Sequence, residues 1–369
     1  VETPICNVTI SVWGILDAAG FANCGYSGAN ALRGRALCVT FAMSCFKNTI
    51  CTLKEIFMRR FSFLLALLLV LVMGATALSA QDTPTVAVIT PYLAQPGTQF
   101  VVEGFQAAAE GYGWTVNVID TADDVAAVIS RIEDVVNQGV DAIVINVDPA
   151  QVEAGLQVAS DAGVPVFGLD AGSHPLLVTN VTSNGYAMAA ETATYVVDRL
   201  NGAGNIVMFI FEAFPPVQKR GVIADTIFGN SPDITVIDRI TPDVADGGIA
   251  DSRTQMEAIL AANPDPGSIS AVWAAWDQPA LGALQAIEAA GREGEGILIV
   301  GIDANPQALD AIAAGGNFAA SVAQDFAGIG AATADAVALV LSGGTISQSV
   351  IYVPTVLVTS ANVSAFLGE

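Results

Sequence analysis

Two acidic side chains and a tryptophan-aspartate pair stand where apolar runs of this sequence stop. Asp303 closes the run ILIVGID, Asp170 closes VPVFGLD, and Trp276-Asp277 follows SISAVWAA. An ionised carboxylate only accepts hydrogen bonds, and an indole offers a flat apolar face with one N–H donor. Such a set suits the holding of a ligand better than the breaking of a bond. Nucleophile and base chemistry has little to draw on: His174 is the one histidine, in a Ser-His-Pro turn, and all five cysteines precede Met58. There is no G-x-S-x-G and no phosphate loop, and Gly328 and Gly330 in FAGIGAA fall inside a helical pattern. The expectation is a protein that is not an enzyme, with no catalytic residue, no bound metal and no cofactor.

The elements that must carry these residues follow from periodicity. From Ser270 to Pro306 the sequence reads strand, helix, strand: Ile269 to Ala275 is apolar, Ala280, Leu281, Leu284 and Ile287 keep a helical spacing, Gly291 stops it, and Ile297 to Ile302 is apolar again. Continuous apolar runs mark strands buried on both faces of a parallel sheet. In an open parallel sheet ligands bind beyond the carboxyl ends of the strands, where Trp276, Asp277 and Asp303 sit.

The same alternation begins earlier. Strands are expected at 85–90, 114–119, 142–147 and 164–169, with helices between them, one capped by Asp120 to Asp124 and ended by Gly139, and one over 149–162. After a short run at 178–181 the pattern restarts, as a second unit of the same kind. The last portion, a strand at 318–323, a helix at 326–342 and a strand at 349–358, is too short for a domain and must complete the other two. The fold class expected is α/β, two doubly wound parallel-sheet domains.

Composition bounds the partners. The chain of 369 residues is 53% hydrophobic and 13% charged, with a net charge of -23, which excludes disorder and argues against nucleic acid or an anionic membrane surface. Arg59-Arg60, the apolar stretch from Phe61 to Met73 and Ala77-Leu78-Ser79-Ala80 read as a secretory signal peptide over 58–80, so the protein is expected outside the cytoplasm of a bacterium, in the periplasm or at the cell exterior. Residues 1–57, without periodicity, read as spurious upstream translation. The remainder carries 33 acidic and seven basic residues.

With these pieces in order, GFQAAAEGYGWTV, VVNQGVDAIVIN, VPVFGLDA, AVWAAWDQPALGALQAIEAAG, ILIVGIDANPQALDAI and ASVAQDFAGIGAATADAV, the sequence from about Thr85 to Val363 resembles bacterial periplasmic sugar-binding proteins of the ribose and galactose type, the solute receptors of ABC importers. The resemblance implies two lobes, 84–182 with 325–351 and 184–323 with 353–369. Three hinge crossings near Ser183, Gln324 and Tyr352 would join them, and closure would enclose a sugar or polyol in the cleft. It also implies a membrane ABC permease as partner, a chemoreceptor as a further one, and a monomer.

The resemblance assigns ligand-binding roles to Asn146, Asp170, Asp303 and Gln324. Gln218 falls where the family has a ligand-contacting Arg, and Arg220 at a neighbouring basic position. Trp276 replaces a usual Asn, Gln95 another, and Ala171 a basic residue, which puts ribose itself in doubt. Tyr92 and Phe100 are candidate aromatic walls. Asp277 is either a ligand contact or a helix cap, and Trp273 is core. Paired carboxylates accept from adjacent sugar hydroxyls, so the expected ligand is neutral, with a nucleoside or a signalling furanose as the alternative.

Overall fold

The computed structural model describes residues 83–245 and 247–367. The expected signal peptide and the stretch before it lie outside the described residues. Two six-stranded sheets organise the fold. The first holds β1 (Thr85–Thr90), β2 (Thr115–Asp120), β3 (Ala142–Ile145), β4 (Val166–Leu169) and β5 (Asn180–Ser183); the second holds β6 (Ala203–Phe209), β7 (Asp233–Ile240), β8 (Ala271–Ala274), β9 (Leu298–Asp303) and β10 (Phe318–Gln324). Of the last two strands, β11 (Val350–Val353) joins the first sheet and β12 (Thr355–Thr359) the second. The orders β11-β5-β4-β3-β1-β2 and β12-β10-β9-β8-β6-β7 are one topology used twice, so β4 and β9 are counterparts.

The central strands are buried on both faces, AIVI in β3 and AVWA in β8. Their alternate residues feed two cores per sheet. In the first, Val86, Val144 and Phe167 face one way and Ala87, Ile143 and Ile145 the other. Complete burial of such a side chain stabilises by about 1.5–3 kcal/mol, so these strands anchor the elements around them. The edge strand β2, half exposed, contributes less. Several of the helices that cover the sheets start at a side-chain cap: Asp124 accepts from Ala127 N at 3.0 Å, Asn184 from Ala187 N at 3.2 Å and Asn305 from Ala308 N at 3.0 Å. The first two helices are α1 (Pro96–Gly111) and α2 (Val125–Gln138), and Gly139, at φ 78°, ends α2 as expected.

Three strands hand the backbone from one sheet to the other. After β5, Asn184 opens a helix packed on the second sheet; after β10, Asp325 opens one packed on the first; and Pro354 alone separates β11 from β12. The single strand expected at 349–358 is therefore two, in different sheets. Proline lacks the N–H that a continuous ladder needs. With no helix in the connection, β12 starts at the end where β11 finishes and runs antiparallel to β10, the one exception in two otherwise parallel sheets among the described residues. The helix expected at 149–162 also divides, into a 3-10 turn at Pro149–Gln151 and a helix, α3 (Glu153–Asp161).

The glycines of FAGIGAA serve packing. Helix α1 crosses Phe326–Leu341 so closely that a methyl at Gly330 would overlap the backbone of Gly104 and Phe105. Gly330→Ala must push the helices apart, a cost of about 1–3 kcal/mol, whereas Gly316→Ala, which meets nothing within 4 Å, should leave the melting temperature unchanged. Equal melting temperatures for the two variants would contradict this packing.

Candidate functional site

Parallel strands deliver their carboxyl ends to one edge, and both sheets turn that edge toward the same cavity. Asp170 follows β4 and Asp303 ends β9, so the two carboxyls occupy equivalent places in the two halves. Both line the cavity, together with Arg220 and Gln324. The volume open to the centre of a water molecule is about 60 Å³. One such molecule needs about 10–15 Å³, so the space takes a small molecule of several heavy atoms.

Asp303 is held by its neighbours. Its Oδ1 accepts from Gln324 Nε2 at 2.7 Å and from Arg220 Nη1 at 3.2 Å, and the same Nη1 donates to Ala275 O at 2.7 Å. Arg220 is 2% exposed, and among the described residues it is the sole basic side chain facing two acidic ones in the lining. Burial pushes the Asp303 carboxyl up to about 6, against the opposing pull of Arg220 and of the Gln324 hydrogen bond. Burial raises Asp170 as well, opposed by Arg220 and by the hydrogen bond from Thr182 Oγ1. Both residues depart from ordinary backbone geometry, with φ 49° at Asp170 and φ 123° at Asp303, followed by 51° at Ala304. Such conformations cost on the order of 1–3 kcal/mol each in non-glycine residues and gather at ligand sites.

Aromatic rings close the other wall. Tyr92, in the loop after β1, meets Phe214 at 5.3 Å and Phe211 at 6.3 Å between ring centroids, and Phe211 meets Trp276 at 6.1 Å. The Tyr92 hydroxyl is pushed up to about 12, chiefly by burial with Asp123 and Asp148 adding, and stays protonated. Nearby, Gln95 Nε2 donates to Val244 O at 2.8 Å, which ties the loop before α1 to the loop after β7. Among the described residues, nine buried side-chain polar atoms have no partner in the protein, and five of them belong to cavity residues: Gln95 Oε1, Arg220 Nε, Trp276 Nε1, Gln278 Nε2 and Gln324 Oε1. Buried polar groups are nearly always satisfied, so this concentration marks where a bound molecule would complete the network. Trp273, expected in the core, is the contrast: it is fully buried and its Nε1 donates to Thr192 Oγ1 at 3.0 Å.

The structure thus gathers Tyr92, Gln95, Asp170, Arg220, Trp276, Asp303 and Gln324 around one cavity. Three other candidates stand off it. Asn146 is consumed locally, donating to Leu169 O at 2.8 Å and accepting from Thr90 Oγ1 at 3.0 Å, so it braces the ends of β1, β3 and β4. Gln218 is exposed: on a helix, α5 (Pro215–Gly229 with α4 at Gly185–Arg199 before it), residues two apart point to opposite sides, and Arg220 takes the inward one. Asp277 is fully buried behind the wall and caps nothing; its carboxylate accepts from Asn305 N at 2.8 Å and Ser321 Oγ at 2.7 Å.

Phe326 lines the cavity, with Phe100 packed against it at 5.9 Å, in place of Phe100 itself. Sequence reasoning missed Gln278, Phe211 and Phe214. The signals were a Gln directly after the Trp276-Asp277 pair at the start of a helix and a pair of aromatics just after a strand end.

The pH dependence follows from Asp303. Below the ordinary carboxylate range, near 3.8, the acid is protonated in the folded and unfolded states alike; between there and about 6 only the folded form keeps the proton. The contribution of this group to stability is therefore full at the acid end and is lost as pH rises through about 6. In urea unfolding, Asp303→Asn should gain stability relative to the wild type between pH 4 and pH 7. A constant difference across that range would show that Asp303 does not titrate upward in the fold.

Comparison with known proteins agrees with this arrangement. Residues 86–345 match the family described as periplasmic binding protein domain. A putative rhizopine-binding protein of Rhizobium meliloti is 32% identical over 273 residues, 70% of this chain and 84% of that protein. The ribose import binding protein of Bacillus subtilis (strain 168) is 29% identical over 253 residues, 67% of this chain and 78% of that protein. A crystal structure of an ABC transporter solute binding protein from Agrobacterium vitis with bound allitol superposes with a TM-score of 0.71 at 29% identity, covering 78% of this chain and 99% of that one. Two sheets of one topology, three crossings between them and a sequence match over most of the described residues lead to one conclusion: this protein belongs to the periplasmic binding protein family.

Proposed function

We propose that the protein is the substrate-binding component of an ABC importer, capturing a neutral monosaccharide or related polyol between its lobes and presenting it to a membrane permease. The observation that carries this reading is the pairing of Asp170 and Asp303 around Arg220, opposite the wall of Tyr92, Phe211, Phe214 and Trp276. A polyol hydroxyl donates to a carboxylate while accepting from Arg220 Nε, Trp276 Nε1 or Gln278 Nε2, and the C–H groups of its carbon skeleton cover the aromatics. Two carboxyls against one guanidinium disfavour a ligand that is itself anionic. Relatives named for ribose, D-apiose and xylitol, and the relative holding allitol, support the same class.

Closure is the output. The lobes 84–182 with 325–351 and 184–323 with 353–369 move as units about the crossings, and a ligand that touches both favours the closed form by its differential affinity. Support comes from bonds that bridge the two halves, Gln95 Nε2 to Val244 O and Gln151 Nε2 to Ala213 O at 2.9 Å. The closed form is what the permease, or a chemoreceptor, reads. Export by the signal peptide at 58–80, action as a monomer and binding without turnover belong to the same reading.

Thermal melting of residues 81–369 against pentoses, hexoses, polyols, nucleosides and sugar acids tests it. A ligand at one hundred times its Kd should stabilise by about 2.7 kcal/mol, and Asp303→Ala should weaken binding enough to cut that shift to less than half without removing it. Trp276, with a face toward the cavity and a free N–H, favours one second reading, a nucleoside or signalling furanose. Shifts with nucleosides alone would establish that reading, and shifts with sugar acids alone would overturn the neutral ligand.

A further inference from the structure

Asp277 stands behind the cavity wall as the first residue of α7 (Asp277–Ala289, after α6 at Ile249–Ala262), yet it is tied to the residue that forms the wall. Its Oδ2 accepts from the backbone N–H of Asn305 at 2.8 Å. Its Oδ1 accepts from Ser321 Oγ at 2.7 Å, and Ser321 Oγ in turn accepts from the backbone N–H of Ala304 at 2.9 Å. The carboxylate therefore fixes, directly or through one hydroxyl, both amides that follow Asp303. Those are the amides of the turn in which Asp303 and Ala304 adopt φ 123° and 51°.

Room for this arrangement is built in. A Cβ at Gly301, two residues before Asp303, would overlap Asp277 Oδ1 and crowd the Phe318 ring, so only glycine on β9 lets the carboxyl reach across to β10. Beyond the turn, Asn305 caps the next helix, α8 (Pro306–Ala314), through Ala308 N. Asp277 thus joins the start of one helix, the turn into a second and the middle of a strand. All three are buried at this point, with Asp277 and Ser321 fully so.

We propose that Asp277 is a positioning residue: by holding Asn305 N and Ser321 Oγ it keeps the Asp303–Ala304 turn in its left-handed conformation and so aims the Asp303 carboxylate into the cavity. The need for such a clamp is physical. Non-glycine residues leave positive φ unless surrounding bonds over-determine it. The Asp303 side chain, bonded on one oxygen to Gln324 and Arg220, keeps its second oxygen beside Gly97 at the cavity wall only while its backbone stays turned. This inference rests on the proposed ligand site for its consequence, but the clamp itself needs no ligand.

Hydrogen exchange of the ligand-free protein tests the clamp first. Asp277→Ala should speed exchange at Ala304 and Asn305 while the amides of β8 keep their protection. Asp277→Asn, which retains an acceptor for Asn305 N, should leave Asn305 close to wild type. If buried Asp277→Ala fails to fold, Ser321→Ala tests the shorter arm, with faster exchange expected at Ala304. Unchanged exchange at both amides in the folded variants would overturn the proposal.

Affinity tests the aim, with allitol as probe and ribose and xylitol beside it. Asp277→Ala, or Ser321→Ala if it alone folds, should weaken binding by about tenfold, and Asp277→Asn should restore most of it. In an Asp303→Ala background either variant should cause no further loss, because there is no carboxylate left to aim. A loss of the same size in both backgrounds would make Asp277 a general support of the fold and overturn the positioning role. Failure of the wild type to bind any of the three would count against the proposed ligand class, and the exchange experiment would still decide the clamp.

Discussion

Every parallel strand in these sheets ends on the same side, and the rest of the molecule depends on that constraint. It brings residues distant in sequence, Asp170 after β4 and Asp303 at the end of β9, to one cavity without any dedicated scaffold. Because the two sheets share an order, each half offers a carboxyl from the same place, and the cavity acquires a wall from each. The crossing at Pro354 completes the geometry: of the three it alone joins strand to strand with no helix between, and so β12 runs backward.

Charge then decides what the cavity tolerates. A buried guanidinium between two buried carboxyls is not an economical way to stabilise a fold, since desolvating ions offsets much of their attraction. Arg220 is nevertheless almost wholly buried and its Nε is left without a protein partner, while the carboxyls it faces are pushed upward by burial. The arrangement makes sense as an incomplete network. Strained backbone at both carboxyls and unsatisfied atoms around them are features that a fold selected for stability alone would remove.

Closure has its own opposing terms. Bonds such as Gln95 to Val244 and the packing of Tyr92 on Phe211 and Phe214 draw the halves together. Against them stand the acidic loops at the rim, where Asp123 is raised by burial and by the charge of Asp243 across the cleft. In the proposed reading, a ligand that adds hydrogen bonds from both sides shifts this balance by its differential affinity for the closed form.

Much of this was legible in the sequence. Apolar runs, glycine stops and Asp or Asn caps determined the strands and helices, because burial on both faces and the unpaired N–H groups of a helix end are local demands that residue type answers. The strand-end positions of Asp170, Trp276 and Asp303 followed from the same pattern. Tertiary structure alone decided which polar residues face the cavity. Asn146 and Asp277 have the right chemistry and the right neighbours in sequence, yet their hydrogen-bonding capacity is spent on Leu169 and Thr90 in one case and on Asn305 and Ser321 in the other. Gln218 and Arg220 differ by two residues, and only the packed orientation of their helix selects the Arg. The division of the last strand at Pro354 is of the same kind, since a proline permits a break but the two sheets determine where each half goes.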